Sequence, residues 1–238
     1  MHSNVLRKNY FTLVFALFLG TFISVAQFKE NPVMNNETDD EHLLNWGFIL
    51  GLNQYDFKFE YQDNLGDVLV DKSLGFNVGL IGEVRINKFF DIRIEPTLVM
   101  TQRNLGFRGF TEKRDALREV QSTYLHFPLL IKAGAKRIGN WRPIILGGIS
   151  YSTNLGSNED SLEDNASGTF RMKKNTYYYE LGFGIELYPN DWFKFTPSIR
   201  GIFAINDELL RDADPNSPWT GNINAMKTRG IFINFTFE

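Results

Sequence analysis

Apolar and polar residues alternate along most of the chain with a period of two, the pattern of β-strands that have two unlike faces. In residues 74–86, for example, Phe76, Val78 and Leu80 fall on one face and Asn77 falls on the other. The same alternation predicts strands at residues 45–60, 74–86, 89–102, 122–136, 141–155, 176–188, 192–205 and 228–237. The pattern therefore predicts an all-β fold with eight strands.

The connections between these strands alternate between long and short. Short connections lie at residues 87–88, 136–140 and 189–191, and long ones at 61–73, 103–121, 156–175 and 206–227. A soluble β-sandwich has no reason to alternate its loops in this way, whereas an outer-membrane barrel has short periplasmic turns and long outer loops. We therefore expect an eight-stranded antiparallel transmembrane outer-membrane β-barrel, with both termini in the periplasm.

Aromatic residues gather near the strand ends, as in the two aromatic girdles of membrane barrels. Trp46, Phe89, Phe90, Trp141, Trp192, Phe193 and Phe237 fall at the predicted periplasmic ends, and Tyr55, Phe57, Tyr177 and Tyr179 near the opposite ends. The first strand changes phase after Leu52, which predicts a bulge near Asn53 and Gln54. Bulges or outward kinks are also expected at four prolines inside predicted strands, because proline lacks the N–H of the ladder; these are Pro96, Pro128, Pro143 and Pro197.

The N-terminal residues have the organisation of a secretory signal peptide. Arg7 and Lys8 precede an apolar run, and Ser24 and Ala26 supply the small residues of a cleavage site. The rival interpretation is an N-terminal membrane anchor. We expect residues 1–26 to be a signal peptide cut after Ala26, residues 27–43 a flexible periplasmic lead-in, and residues 44–238 the barrel domain.

The composition narrows the possible functions. The chain has 238 residues, no cysteine, and 25 Lys+Arg against 28 Asp+Glu. The absence of cysteine excludes a disulfide framework and a Cys-ligated metal site, and the near-neutral charge gives no basis for nucleic-acid binding. A mean hydropathy of −0.24 resembles that of a soluble protein. A membrane barrel has a similar average, because its outward apolar residues alternate with inward polar ones.

Ten charged residues lie opposite the apolar faces of the predicted strands and therefore point into the barrel. They are Glu83, Arg85, Asp91, Arg93, Glu95, Lys132, Glu180, Glu186, Lys194 and Arg200. An eight-stranded barrel is just wide enough for side chains to fill its interior, and buried charges must be paired. We expect a structural salt-bridge network that fills the lumen; a conducting channel is the alternative.

The sequence offers little catalytic chemistry. His126 faces inward and, together with Ser122 and an interior glutamate, could form a Ser–His–acid arrangement, but a lumen histidine bonded to a carboxylate is the simpler interpretation. The acidic stretch from Glu159 to Asp164 lacks the EF-hand pattern. We expect no catalytic residues, no metal site, no cofactor and no small-molecule substrate. The expected contact in the membrane is outer-membrane lipid or lipopolysaccharide.

Several segments resemble the PorT (SprT) family of Bacteroidota outer-membrane proteins. They are the opening Trp46-Gly47-Phe48-Ile49-Leu50-Gly51-Leu52-Asn53, Gln102-Arg103-Asn104-Leu105, Ser122-Thr123-Tyr124-Leu125-His126-Phe127-Pro128-Leu129-Leu130, Arg142-Pro143 with Gly147-Gly148, Tyr178-Tyr179-Glu180-Leu181-Gly182-Phe183-Gly184, and Phe193-Lys194-Phe195-Thr196-Pro197. The resemblance runs from about Trp46 to the end of the chain. The strand-four segment and the Gly-Gly strand are shared by a broad group of small outer-membrane barrels.

The resemblance implies a role in the type IX secretion system, which exports proteins across the outer membrane and supports gliding motility. It implies a non-enzymatic accessory component that acts through contacts with other type IX secretion components. The alternative is a general small outer-membrane barrel that serves adhesion or envelope stability.

Overall fold

The computed structural model describes residues 34–36, 42–63 and 68–238. The predicted signal peptide and most of the predicted lead-in lie outside the described residues. The strands are β1 (Leu44–Tyr61), β2 (Leu69–Lys72), β3 (Leu74–Arg85), β4 (Phe90–Ile94), β5 (Thr97–Gly106), β6 (Leu117–Gly134), β7 (Trp141–Asn154), β8 (Asn175–Asn190), β9 (Phe193–Ala204) and β10 (Ile223–Phe237). A short helix, α1 (Lys113–Ala116), and a 3₁₀ turn at Asn165–Ser167 lie in the loops.

The strands form one closed antiparallel ring. Neighbours follow each other from β10 through β9, β8, β7 and β6 to β5 and β4, and then to β3. β1 closes the ring, because it pairs with β3 on one side and with β10 on the other. β2 and β3 continue one another across Ser73, as do β4 and β5 across Glu95 and Pro96. The ten strands thus occupy eight positions around the ring, and we call each position a stave. This arrangement confirms the predicted barrel fold.

The two faces of each strand differ as the alternation predicted. Leu80 and Phe183 are each 65% exposed on the outside of the ring, whereas Lys132 and Glu186 on the inside are 0% exposed. An apolar outer band around a polar, filled interior is the arrangement of a membrane barrel. Among the described residues no helix is long and apolar enough to cross a membrane.

The expected bulge at Asn53 and Gln54 is wrong. The registers of β1 with β10 and with β3 run through both residues without a shift. Instead the two faces exchange character: Tyr55 and Phe57 are buried inside, while Lys58 is exposed outside. The upper part of β1 therefore lies beyond the apolar outer band, with polar Lys58 on its outer face and Tyr55 and Phe57 in the buried interior.

This exchange also corrects the expected outer aromatic girdle. Tyr177 and Tyr179 are 56% and 51% exposed on the outside, as expected of a girdle. Tyr55 and Phe57 are 0% and 3% exposed and lie inside the barrel. Aromatic residues near a strand end are therefore not all interfacial, because those at the upper end of β1 pack inside the barrel.

The in-strand prolines are accommodated without register shifts. Pro96 lies at the break between β4 and β5, and its carbonyl accepts a hydrogen bond from the Leu80 N–H (3.0 Å). Pro128, Pro143 and Pro197 lie within continuous registers, opposite Ser150, Ile185 and Phe235 respectively. The bulges expected at these three positions are not present.

The long loops fold together over one end of the ring. Their apolar side chains join inward residues of the strand tops in one buried cluster of Phe57, Leu105, Phe107, Val120, Phe170, Met172, Leu209, Ile223 and Met226. Phe110 and Trp219 stack with their ring centroids 5.1 Å apart, and the Trp219 indole N–H donates to the Asp115 carbonyl. These loops, residues 107–116, 155–174 and 205–222, thus make an ordered cap over the lumen. We call it the outer cap, after the long outer loops of membrane barrels.

Candidate functional site in the barrel lumen

Lys132 lies at the centre of the lower lumen, by which we mean the part nearer the short turns. Its ammonium group lies 2.6 Å from a Glu83 oxygen, 2.6 Å from a Glu186 oxygen and 3.1 Å from an Asp91 oxygen. Four strands contribute to this cluster, because the alternation on β3, β4, β6 and β8 directs each of these side chains inward. Asp91 also contacts Arg85 at 3.4 Å, near the end of the barrel that carries the short turns.

Arg93 joins this cluster to a second one. Its guanidinium lies 3.3 Å from Glu83, 2.6 Å from Glu95 and 3.0 Å from the Glu238 side chain. Glu238 also contacts Lys194 at 2.5 Å. Glu238 follows the last strand and was not among the residues predicted for the lumen, yet its side chain occupies a central position between two cations.

The upper part of the network is built around Arg200. Its guanidinium lies 2.8 Å from Glu95 and 3.0 Å from Glu180. At the lower end, Arg142 lies 3.6 Å from Glu186 and was not predicted either. All ten residues predicted for the lumen lie in one connected network, which Arg142 and Glu238 extend.

The charges of this network balance. Its carboxylates belong to Glu83, Asp91, Glu95, Glu180, Glu186 and Glu238, and its cations to Arg85, Arg93, Lys132, Arg142, Lys194 and Arg200. Pairing of this kind offsets the desolvation cost of buried ions, and removing one partner leaves an uncompensated charge. Asp91, Lys132 and Glu186 are each 0% exposed, so the lumen is filled at their level.

His126 lies between a hydroxyl and a carboxylate. Its Nε2 is 2.8 Å from Glu180 and its Nδ1 is 2.6 Å from the Ser152 oxygen. The sequence suggested Ser122 as the hydroxyl, but Ser122 accepts a hydrogen bond from Arg103 instead. Ser152 is 0% exposed and His126 is 1% exposed, so a substrate cannot reach the serine in this conformation.

A second polar layer lies above the ionic network, beneath the outer cap. Arg103 donates to the Tyr124 hydroxyl (2.7 Å), to Ser122 (3.1 Å) and to Thr228 (3.2 Å). Its guanidinium lies 3.8 Å from the centre of the Phe57 ring, a cation–π contact. Arg103 is thus held by both hydrogen bonds and an aromatic face. The sequence placed it at the start of a loop and gave it no role.

Glu208 lies in the same layer and belongs to the long loop between β9 and β10. Its carboxylate accepts hydrogen bonds from the Thr228 N–H (2.7 Å) and from the Thr228 hydroxyl (3.0 Å). Burial raises the pKa of Glu208 to about 7, although the hydrogen bonds from Thr228 act in the opposite direction. The buried carboxylate therefore titrates near neutral pH.

The described residues contain no cluster of His, Cys, Asp or Glu that could hold a metal ion. An open cavity of about 240 Å³ lies at the outer end, with Arg118, Gln121, Asn158 and Phe170 in its lining. The Arg118 guanidinium already donates hydrogen bonds there, to the side-chain oxygen and to the carbonyl of Asn165.

Comparison with known proteins gives the family. Residues 25–210 match the family described as "Outer membrane protein beta-barrel domain". The chain belongs to this outer-membrane barrel family. Membership places the protein in the outer membrane. No curated protein matches the chain.

Solved outer-membrane proteins are similar to this barrel. The outer membrane protein OprG from Pseudomonas aeruginosa is 14% identical with a TM-score of 0.46, over 82% of this chain and 92% of OprG. Neisserial surface protein A (NspA) is 8% identical with a TM-score of 0.42, over 82% and 96%. The attachment invasion locus protein Ail of Yersinia pestis is 12% identical with a TM-score of 0.38, over 81% and 96%.

Proposed function

We propose that this barrel is a non-enzymatic accessory component of the type IX secretion machinery, and that it also supports gliding motility. It acts through contacts with other secretion components during assembly or operation of the translocon. The resemblance to the PorT family, which runs from Trp46 through the strand segments quoted above, supports this assignment.

The filled lumen is the observation that carries a contact-based mechanism. Side chains of opposite charge occupy the interior at the level of Lys132, and the outer cap covers the end above them. A barrel filled in this way offers no aqueous path for a solute or an exported protein. Its working surfaces are then the cap, the lipid-facing wall and the periplasmic end.

A hydrolytic role is the less favoured use of the His126 site. His126 is hydrogen-bonded to Ser152 through Nδ1 and its Nε2 lies 2.8 Å from Glu180, but all three groups are buried and Glu180 also pairs with Arg200. A histidine that contacts both neighbours in this way acts as a structural link between β6, β7 and β8. We therefore assign His126 to the interior network.

Further elements of the proposal are export by a signal peptide cut after Ala26, and termini in the periplasm. The Asn35 N–H donates to the Asn140 side chain (2.8 Å), and the Asn36 N–H donates to Asp191 (3.1 Å). Both acceptors lie in short turns, so these lead-in residues lie at the short-turn end. Outer-membrane lipid or lipopolysaccharide is the proposed contact of the apolar band.

Deletion of the gene tests the proposal. We expect type IX cargo to stay in the cells and colony spreading to cease, and we expect a plasmid copy to restore both. A copy with His126→Ala that still forms a heat-modifiable barrel should restore them equally, because no catalysis is involved. Cargo secretion that continues after deletion would contradict the proposal and favour the adhesion or envelope-stability alternative.

A further inference from the structure

The wall of the barrel is not fully laddered at its outer end. β1 pairs with β3 only as far as Gln54, which lies opposite Leu74. Above that point β1 continues along β10 alone, and β2 pairs with β5 alone. In the part of the chain that the structure describes, no strand lies between residues 55–61 of β1 and Leu69–Lys72 of β2. β1 and β2 lie side by side here, with some Cα atoms within 8 Å of each other, so the two edges are adjacent although no ladder joins them. We call this unladdered seam the outer gap.

Successive residues of β1 direct their backbone N–H and C=O groups to opposite sides of the strand. This alternation shows which backbone groups face the outer gap. The Arg85 N–H donates to the Leu43 carbonyl, so odd-numbered residues of this stave direct their backbone groups towards β3. The Gln62 N–H donates to Asn222, so even-numbered residues face β10. The N–H and C=O groups of Tyr55, Phe57 and Phe59 therefore point into the gap.

The backbone groups of β2 also alternate in direction along the strand. The Ser73 N–H donates to the Gln102 carbonyl, so odd-numbered residues here face β5. Val70 and Lys72 then direct their backbone groups towards the gap. The Val68 N–H, on the same side, donates to the Tyr61 hydroxyl at 2.8 Å, which agrees with this parity.

Side chains, rather than a ladder, bridge the two edges. Lys72 reaches Asp56 at 3.4 Å, and Asp56 also accepts a 2.8 Å contact from Arg229 on the neighbouring β10. The Lys72 side chain is 41% exposed, and an ion pair that is exposed to solvent and salt is a weak closure. The outer gap is thus two strand edges held together mainly by side-chain contacts.

A row of strand-spaced N–H and C=O groups is matched chemically by the backbone of another extended chain. The side chains around the gap indicate the pattern of that chain. Phe57 and Val70 face the apolar cluster inside, whereas Lys58 and Asp71 are exposed outside. We propose that the outer gap docks an extended segment of a partner protein, with apolar residues facing inward and polar residues facing outward.

This inference rests on the proposed function, since it names the surface through which the barrel would contact a secretion component. Docking would part the two edges, break the Lys72–Asp56 contact and place a short strand between them, of a length set by the four residues of β2. Lys58 and Asp71 would flank it on the outer side. A lipid headgroup at these charged residues is the competing occupant that the experiment must distinguish.

Site-specific photocrosslinking in intact cells gives the first readout. A photoreactive residue is placed at Lys58, at Asp71 and, as a control, at Thr153, whose strand is laddered on both sides. We expect Lys58 and Asp71 to crosslink to the same protein through one extended segment, and Thr153 to give no such product. Crosslinks at the gap to lipopolysaccharide alone would overturn the inference.

Hydrogen exchange on the tagged full-length protein gives the second readout. In the purified barrel the amides of Phe57, Phe59 and Val70 should exchange fast, while those of Asp56 and Lys58, which face β10, stay protected. In the complex purified from crosslinked cells all five should be protected. Protection of Phe57 and Phe59 in the free barrel, or fast exchange in the complex, would contradict the inference.

A variant separates backbone docking from side-chain contact. Val70→Pro removes an N–H that faces the gap and leaves the ladder to β5 intact, whereas Val70→Ala keeps that N–H. We expect a several-fold weaker crosslink at Lys58 for V70P alone, provided that both variants remain heat-modifiable. Equal crosslinking of V70P and V70A would overturn the inference.

Other outcomes separate this inference from the proposed function. A secretion component that crosslinks only at Thr153 would overturn the inference, whereas the proposed function would still hold. Continued secretion after gene deletion would overturn both.

Discussion

At the scale of single residues, Lys132 organises the lumen, because its ammonium group is the shared counter-ion of Glu83, Asp91 and Glu186. Lys132 was placed inside because apolar Ile131 and Leu129 define the opposite face. Its three carboxylate partners come from strands that only the barrel's register brings together. Arg142 was missed because apolar residues occupy both faces of its strand, and Glu238 because it follows the last alternating segment.

The lumen network predicts a large cost for removing its central cation. Lys132→Met keeps most of the side-chain volume but leaves Glu83, Asp91 and Glu186 without a shared counter-ion. We expect a loss of about 3–5 kcal/mol in the free energy of unfolding, measured by urea titration in lipid vesicles. Lys58→Met, at an exposed position on β1, is the matched control. Equal stability of the two variants would contradict the network.

Glu208 predicts a pH dependence that alternation could not have indicated, because the residue lies in a predicted loop. Its folded pKa of about 7 is above its ordinary value of 4.5, so the protonated form is favoured in the folded state. The stability that Glu208 contributes is fully present below pH 4.5 and is lost as the pH rises through 7. Over this window we expect a fall of about 3 kcal/mol relative to Glu208→Gln.

The measurement is the free energy of unfolding of wild type and E208Q between pH 4.5 and 8.5. The difference between the two should change with pH in the stated direction, since other titrating groups are common to both proteins. A pH-independent difference would show that Glu208 titrates normally in the folded state.

At the scale of strands and loops, the sequence was most informative where physics imposes a regular pattern. The period of two predicted all eight staves, and the alternation of short and long connections predicted how they are joined. The pattern misled at β1, where the face exchange at Tyr55 looked like a bulge. When the apolar residues of a strand move from even to odd positions, the sequence alone cannot show the cause. An inserted residue and an exchange of the polar and apolar faces give the same pattern.

Close strand packing gives a prediction for one glycine of a pair. A Cβ added at Gly148 would collide with the Leu129 carbonyl oxygen, whereas one at Gly147 would meet only the Leu181 side chain, at 3.6 Å, and a more distant carbonyl. We expect Gly148→Ala to destabilise the barrel by about 1–3 kcal/mol through overpacking, and Gly147→Ala to be close to neutral. The midpoint of heat modifiability on gels measures both. Equal midpoints would contradict the packing described here.

At the scale of the whole molecule, an average composition hides two opposed surfaces. The mildly negative mean hydropathy of −0.24 combines a lipid-facing apolar band with a charged interior. The outer cap, formed by long loops whose contacts no local pattern predicts, covers one end of that interior. These features together favour a barrel that works through its surfaces, and the outer gap in the wall is the surface for which we propose a partner.

A filled lumen means that the function we propose lies in contacts and not in transport. Reconstitution of the wild-type protein into planar lipid bilayers tests this claim most directly. We predict no stepwise ion conductance above that of the bare bilayer, because Lys132 and its carboxylate partners occupy the lumen. Reproducible single-channel steps from the purified, folded barrel would contradict the account.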